Sequence, residues 1–283
     1  MRKALLVAIV LLVLPAVPAE PPSPTVLVIC APGYPGTTAQ ARPVMDTFAA
    51  AAARAAGWPA GGLSAVYHER EEPGLARLAQ DDAALALVPL PFYLKHGPSL
   101  GLAPRLEVVR ESGATESWSL VARSGAIPSV AALEGFEVVG APGYAPAFVR
   151  GPVLGPWGAL PSSTTVRFSP SILSALRRAA AGERIAALLD AAQSTALASL
   201  PLAAKVETVY RAKPLPGTLL CTVRNRAKGR RFEALLEALP GLHKTSEGAD
   251  ALKAMQMVRF EAADLAGIEA ARKAYAAAEA SPR

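Results

Sequence analysis

Short apolar runs of strand length alternate with helix-like segments along most of this chain. The first run, Thr25–Cys30, is continuous and rich in β-branched residues, and a loop rich in Pro and Gly follows it. Apolar residues then recur with the helical period from Ala41 to Ala55, and Gly57 ends the pattern. Further strand-like runs lie at 63–67, 84–88, 106–109, 117–123, 136–139, 164–168, 185–189, 206–211 and 218–223, and three helical stripes follow. This alternation predicts an α/β fold whose strands are mostly parallel and covered by helices on both faces.

The N-terminus has the pattern of a secretory signal peptide. Two cations precede the apolar run Ala4–Leu14, and small residues ending at Ala19 offer a cleavage site. We therefore expect residues 1–19 to be removed and the mature protein to reside in the periplasm. A retained membrane anchor is the alternative, but this eleven-residue run is shorter than the ~20 apolar residues of a spanning helix. Glu20, where a lipid-anchored protein would carry Cys, argues against a lipid anchor.

Composition and charge narrow the class of protein. With 52% hydrophobic and 18% charged residues, the chain has the composition of a folded protein, which excludes a disordered tail and a disulfide-dense miniprotein. Its length of 283 residues fits one large domain or two medium domains. The net charge of +6 falls by two once the leader cations are lost, and the remaining charge is spread along the chain. The densest basic stretch, Arg224–Arg231, is interpreted as a solvated helix entry. We expect a soluble mature protein with no nucleic-acid partner.

The two cysteines sit inside strand-like apolar runs. Cys30 ends the first run and Cys221 lies in the last. An oxidising compartment would permit a disulfide between them, whereas their apolar surroundings favour buried free thiols. Both alternatives stay open at this point.

Searches for catalytic and metal-binding motifs find no match in the sequence. Phosphate-binding loops, a nucleophile elbow and a Cys-x-x-Cys pair are absent. His68 and Glu69 begin like a zinc-protease helix, but Glu72 stands where the second His would be. The acidic run from Glu69 to Glu72 leads into a helix start, where carboxylates favour the helix dipole. We expect no catalytic residue, no metal site and no cofactor.

The order of segments resembles the periplasmic substrate-binding proteins of ABC importers, in the type II branch that includes phosphate and phosphonate binders. The resemblance rests on five stretches in family order, which are Thr25–Gly36, Ala84–Tyr93, Ser117–Arg123, Ala132–Gly140 and Val206–Arg224. It implies two α/β lobes joined by two crossover strands, with a ligand held between lobes that close about hinges.

The resemblance also implies a division of the chain. Lobe one would comprise residues 24–123 and 213–283, with the C-terminal helices packed on it, and lobe two would comprise residues 124–212. Because ligands in open α/β sheets bind at the carboxyl ends of strands, the loops at 33–38, 67–69, 89–93 and 140–147 should face the cleft.

Candidate ligand-binding residues come from these loops and from the first crossover. The aromatic candidates are Tyr34, Tyr67, Phe92, Tyr93, Trp118, Tyr144 and Phe148, and the hydroxyl candidates are Thr37, Thr38 and Ser117. Phosphonate binders of the family hold the anion at a helix start rich in Ser and Thr. The corresponding stretch here, Gly140–Arg150, has neither residue, and its two prolines remove N–H donors. This departure argues against simple phosphonate as the ligand.

The sequence thus predicts a solute-binding protein, without enzymatic activity, that captures a small ligand and delivers it to a membrane transporter permease. The aromatic loops favour a ligand with an apolar body. A carrier of a hydrophobic lipid or sterol-like molecule on the same scaffold is one alternative. A secreted enzyme with an unrecognised site is the other.

Overall fold

The computed structural model describes residues 25–280. The predicted signal peptide and its cleavage site after Ala19 therefore lie outside the described residues.

Thirteen strands and nine helices make up the described part of the chain, together with short 3₁₀ and π turns. The strands are β1 Thr25–Cys30, β2 Leu63–His68, β3 Ala83–Pro89, β4 Leu102–Val109, β5 Thr115–Glu116, β6 Ser119–Arg123, β7 Glu137–Gly140, β8 Thr165–Phe168, β9 Ile185–Leu189, β10 Val206–Arg211, β11 Leu215–Pro216, β12 Thr218–Val223 and β13 Arg259–Ala262. The helices are α1 Thr38–Ala55, α2 Glu71–Leu78, α3 Leu90–Leu100, α4 Pro146–Phe148, α5 Ile172–Ala180, α6 Ala191–Leu197, α7 Arg230–Ala238, α8 Ser246–Ala254 and α9 Leu265–Ala280.

The first lobe is built on a six-stranded sheet with the order β13-β4-β12-β3-β1-β2. Every residue of β1 and β3 is buried, because helices cover both faces of these central strands, whereas β2 at the edge alternates buried and half-buried residues. β1 runs parallel to both neighbours, whereas β12 pairs antiparallel with β3 and with β4, and β13 pairs antiparallel with β4. The sheet is therefore mixed rather than mostly parallel, since β12 brings the chain back from the other lobe.

The second lobe is built on a five-stranded sheet with the order β10-β6-β9-β7-β8. β7 runs parallel to β8 and β9, while β6 lies antiparallel between β9 and β10. Helix α5 covers one face of this sheet with Ala175, Leu176 and Ala179. The fold is thus two α/β lobes, as expected.

A two-stranded ribbon joins the lobes. β5 and β11 pair antiparallel, with Leu215 beside Glu116 and Pro216 beside Thr115. The chain enters the second sheet at β6, ahead of the boundary expected at residue 123. The boundary between the lobes therefore lies before Ser119, because Ser119–Arg123 forms its backbone hydrogen bonds with strands of the second sheet.

Helix α9 contacts both lobes, which differs from its expected place on lobe one alone. It packs against α3 of the first lobe, and against α4 and the π turn Val149–Val153 of the second. The buried side chains of Ile268 and Tyr275 join an apolar cluster that draws on both lobes. Gly151 permits this contact, because a Cβ at that position would lie 2.3 Å from the carbonyl oxygen of Ala274.

Both cysteines are buried free thiols, in different strands of the first sheet. Burial raises the pKa of the Cys30 thiol to about 12, so it stays protonated at neutral pH. Between residues 25 and 280, no helix combines the length and the apolar character needed to cross a membrane.

Candidate functional site

The lobes touch where two strand-following loops meet. Gly33, after β1, has a φ of +87°, and a Cβ there would lie 3.0 Å from the Cβ of Ala141 after β7. Glycine suits this position because it accepts both the left-handed conformation and the close approach. Nearby, the Lys95 ammonium donates to the carbonyl of Tyr144 at 2.7 Å and pairs with Glu71 at 2.6 Å. The approach of Gly33 to Ala141 and the bond from Lys95 to Tyr144 join the two lobes.

A small cavity of about 20 Å³ lies beside the β5–β11 ribbon. Its walls come from both lobes and from the ribbon itself, and we call it the ribbon cavity. Its lining includes the side chains of Tyr34, Arg110, Glu116, Trp118, Phe148 and Thr218. A space of this size holds about one water-sized group.

A larger pocket of about 290 Å³ adjoins the ribbon cavity in the first lobe. We call it the apolar pocket, because most of its lining is hydrophobic, including Val44, Met45, Tyr67, Met255 and Met257. Polar groups enter it from Gln40, Arg110, Thr218 and Gln256. The two spaces share Tyr34, Pro89, Arg110 and Thr218, so one ligand could reach both. Apolar walls with a few convergent polar groups are typical of small-molecule sites.

Arg110 follows the buried end of β4 and lies at the junction of the two spaces. Neutral groups hold its guanidinium. It donates to the Gln256 carbonyl at 3.2 Å and to Thr218 Oγ1 at 3.4 Å, and its Cζ lies 5.7 Å from the centre of the Tyr34 ring. In the part of the chain that the structure describes, no carboxylate lies within the 4.0 Å that defines an ion pair with it.

Two carboxylates act near this junction: Glu116 lines the ribbon cavity, and Asp190 of the second lobe interacts electrostatically with Glu116 and Arg110 without lining either space. Glu116 Oε1 accepts the backbone N–H groups of Ser117 at 3.1 Å and Ala191 at 3.0 Å. Asp190 caps α6 by accepting the Gln193 N–H at 2.7 Å. Burial raises the pKa of both acids, and the charge of Asp190 adds to the rise for Glu116.

The raised pKa of Glu116 gives a testable dependence of stability on pH. The folded protein binds this proton more tightly than the unfolded chain, so stability is lost as pH rises through the raised folded pKa. Glu116→Gln keeps an oxygen acceptor and removes the charge. We expect its gain in Tm over the wild type to be larger at pH 7 than at pH 4, measured by thermal unfolding.

Glu207→Gln is the matched control, because Glu207 also accepts a backbone N–H, from Gly125 at 2.8 Å, but is exposed. Its Tm difference from the wild type should change much less between these two pH values. An equal change in both variants would contradict the role of burial at Glu116.

Four of the aromatic candidates line the two spaces. Trp118 and Phe148 pack edge to face in the ribbon cavity, with ring centroids 6.1 Å apart. Tyr34 lines both spaces, and Tyr67 lines the apolar pocket, where its hydroxyl donates to the Tyr34 carbonyl at 3.3 Å.

Tyr144 lies at the contact between the lobes rather than in either space. Its ring packs edge-on against Phe168 at 6.1 Å, and the Lys95 ammonium lies 5.7 Å from the ring centre. Its buried hydroxyl finds no hydrogen-bond partner among residues 25–280, and burial raises its pKa well above the ordinary value.

Three further candidates do not face the site. Phe92 is fully buried in the core, with its ring 4.9 Å from that of His96. Tyr93, on the same helix, lies near charged groups of α9 and lines neither space. Ser117 lies on the crossover, and neither space is lined by it. The helix that begins at Leu90 explains the first two, since its apolar face turns into the core.

Thr37 and Thr38 were expected to hold an anion, but their hydrogen-bonding groups are already used. Thr37 caps α1 by accepting the Gln40 N–H at 3.3 Å. Thr38 donates to Glu69 Oε2 through its N–H at 3.1 Å and its hydroxyl at 2.9 Å. A carboxylate of the chain itself therefore occupies this helix start, and the exposed Thr37 and Thr38 line neither space.

Sequence reasoning missed Arg110, Glu116, Asp190 and Thr218. A signal was present for two of them, because Arg110 and Asp190 directly follow the buried strands β4 and β9. Polar residues at the carboxyl ends of strands are the positions from which α/β proteins bind ligands. Glu116 and Thr218 lie in and beside the ribbon, and only the pairing of β5 with β11 brings them to the site.

Comparison by sequence finds no match, either to a known family model or to a curated protein. Comparison by structure finds many. XAC2383 from Xanthomonas citri, in its structure bound to ATP, superposes with a TM-score of 0.68 at 15% identity, covering 91% of this chain and 97% of that one.

Two other solved structures concern phosphonates, one as a transporter component and one as a complex with methylphosphonate. A binding protein component of an ABC phosphonate transporter from Pseudomonas aeruginosa has a TM-score of 0.63 at 15% identity, covering 91% of this chain and 87% of that chain. PhnD1 from Prochlorococcus marinus, in complex with methylphosphonate, has a TM-score of 0.58 at 14% identity, covering 88% and 98%. The chain therefore has the two-lobed fold of the periplasmic binding proteins.

Proposed function

We propose that this protein is a periplasmic solute-binding protein, not an enzyme. It closes on a small ligand with an apolar body and a polar end, and delivers it to a membrane transporter permease. The observation that carries the proposal is the junction of the apolar pocket with the ribbon cavity, where Arg110 and Thr218 offer polar anchors beside hydrophobic walls. The resemblance in fold to components of a phosphonate transporter supports the transport role.

The polar groups at this junction disfavour phosphate or phosphonate as the ligand. An anion held between lobes needs several donors aimed at it, since an unpaired buried charge is costly. The turn Ala141–Tyr144 carries no hydroxyl that could donate except that of Tyr144, and Pro142 has no N–H. Glu116 and Asp190 add negative charge on the ribbon and second-lobe side.

A carrier of lipid-like cargo is the second candidate, and one observation favours it. Met45, Met255 and Met257 line the apolar pocket, and flexible thioether side chains adapt to apolar ligands of varied shape. The pocket volume of about 290 Å³ instead favours a small molecule over a whole lipid.

Native mass spectrometry of protein purified from its own periplasm tests the proposal. We expect a non-covalently bound organic molecule of low mass that contains an apolar group. A bound lipid would favour the second candidate. Retention of phosphate or a phosphonate alone would contradict the proposal, and chemical conversion of the bound molecule by the protein would point to an enzyme.

Filling the apolar pocket should weaken binding of the molecule recovered in this way. Val44 is half-buried on α1 and lines the pocket, so Val44→Phe places a ring in the space of the ligand. We expect a loss of affinity of about tenfold or more by isothermal titration calorimetry. Thr47→Phe, on the exposed side of the same helix, is the control and should bind like the wild type. Unchanged affinity in Val44→Phe would place the ligand elsewhere.

A further inference from the structure

Arg110 and Glu116 line the same enclosed space with opposite charges and do not pair with each other. No ion pair within 4.0 Å joins them among the described residues. Arg110 is held by a carbonyl and a hydroxyl, and Glu116 by two backbone N–H groups. Neither charge therefore has a direct ion-pair partner at the wall of this small cavity, although Arg110 acts on Glu116 electrostatically from a longer distance.

Charges that lack a direct partner at a partly buried site are costly, and charge-assisted hydrogen bonds to a ligand would offset that cost. Both bonds that Glu116 accepts go to Oε1. Within the described residues, Oε2 accepts no hydrogen bond and is available to a donor. Arg110 in turn has guanidinium N–H groups beyond the two that are used. The site thus offers a carboxylate oxygen of Glu116 that can accept a hydrogen bond from a cation, and a guanidinium of Arg110 that can donate hydrogen bonds to an anion.

The sizes and linings of the two spaces indicate which part of the ligand each space would hold. Glu116 lines the ribbon cavity and not the apolar pocket, and the volume of about 20 Å³ suits one water-sized group such as an ammonium. Arg110 lines both spaces, so an acidic group beside it would lie at their junction. The apolar pocket then takes the remaining, hydrophobic part.

From this arrangement, and resting on the solute-binding function proposed above, we infer that the ligand is a small zwitterion with an apolar side chain, as in a hydrophobic amino acid. Its ammonium group lies in the ribbon cavity against Glu116, its acidic group contacts Arg110, and its side chain fills the apolar pocket. Asp190 strengthens the negative field at the ammonium group from the second lobe.

Three compounds with one phenyl group separate the contributions of the charges. Phenylalanine carries both charges, 3-phenylpropanoic acid carries the acid alone, and 2-phenylethylamine carries the amine alone. By calorimetry at pH 7 we expect phenylalanine to bind at least about tenfold more tightly than either analogue, since each lacks one charge-assisted contact.

Two variants test the assignment of each charge. Glu116→Gln should weaken phenylalanine binding by about tenfold or more while leaving 3-phenylpropanoic acid unaffected or bound more tightly, because only the ammonium contact is lost. Arg110→Gln should weaken the binding of phenylalanine and of 3-phenylpropanoic acid and leave the binding of 2-phenylethylamine unchanged. A variant that merely misfolds would weaken all three compounds together. Arg105→Gln on the same strand and Glu207→Gln in the second sheet are matched controls, since both side chains lie outside the two spaces.

Equal affinity for phenylalanine and 3-phenylpropanoic acid would overturn the zwitterion and leave the solute-binding function standing. Binding of none of the three compounds would also overturn it. In that case, recovery of another apolar molecule by native mass spectrometry would still support the proposed function. Recovery of phosphate alone would contradict both the proposed function and the zwitterionic ligand.

Discussion

Phe92→Ala should lower the free energy of unfolding by about 3–5 kcal/mol, the usual cost of deleting a buried aromatic ring. Phe92 is 0% exposed and belongs to the apolar cluster that draws on both lobes, so the cavity left behind has little freedom to collapse. The loop position had marked this residue as a ligand contact, for which truncation would weaken binding without unfolding. Chemical denaturation distinguishes the two roles.

Phe168→Ala is the matched control, because the same side chain is 38% exposed there. We expect a loss well under half that of Phe92→Ala. If Phe92→Ala unfolds at the wild-type denaturant concentration yet loses ligand affinity, Phe92 is a binding residue after all.

Gly151→Ala should detach helix α9 from the second lobe. The new Cβ would lie 2.3 Å from the carbonyl oxygen and 2.9 Å from the carbonyl carbon of Ala274, which are backbone atoms that cannot rotate away. Overpacking of this kind costs about 1–3 kcal/mol and here should also speed amide hydrogen exchange across Leu265–Ala280.

Gly241→Ala provides the comparison, since a Cβ there meets no atom within 4 Å. It should leave both stability and exchange in α9 near the wild-type values. Normal exchange in α9 of Gly151→Ala would mean that the helix and the π turn are not packed as described.

The strands could be predicted well from the sequence because they are buried on both faces. A continuous apolar run such as Thr25–Cys30 can bury its side chains only where both faces of the strand are covered, and β1 has the predicted bounds. The order of the segments likewise predicted two lobes. The strand β6 shows the limit of this reasoning, because its apolar run does not tell to which sheet it hydrogen-bonds.

The site was predicted less completely, for a physical reason. An aromatic residue near a strand end packs equally well into a core or against a ligand, and only the turn of the following helix decides which. Tyr34 therefore faces the pocket, whereas Phe92 faces the core. Thr37 and Thr38 were expected to contact the ligand, whereas in the structure Glu69, 31 residues beyond Thr38, accepts hydrogen bonds at this helix start. No residue close in sequence to the threonines indicates that the carboxylate of Glu69 would bind there.

The ribbon of β5 and β11 has a consequence for the order of events in ligand capture. When two bodies turn about a pivot, groups next to the pivot move little and groups far from it move most. Glu116 is part of the ribbon and Thr218 lies two residues after its last residue, so rotation of the lobes about this ribbon would leave both nearly in place. The Lys95–Tyr144 contact connects elements outside the ribbon and would separate. The polar end of a ligand would thus meet a preassembled anchor in the open protein, and closure would follow as a second, unimolecular step. The observed rate of capture should then level off at high ligand concentration instead of rising in proportion to it.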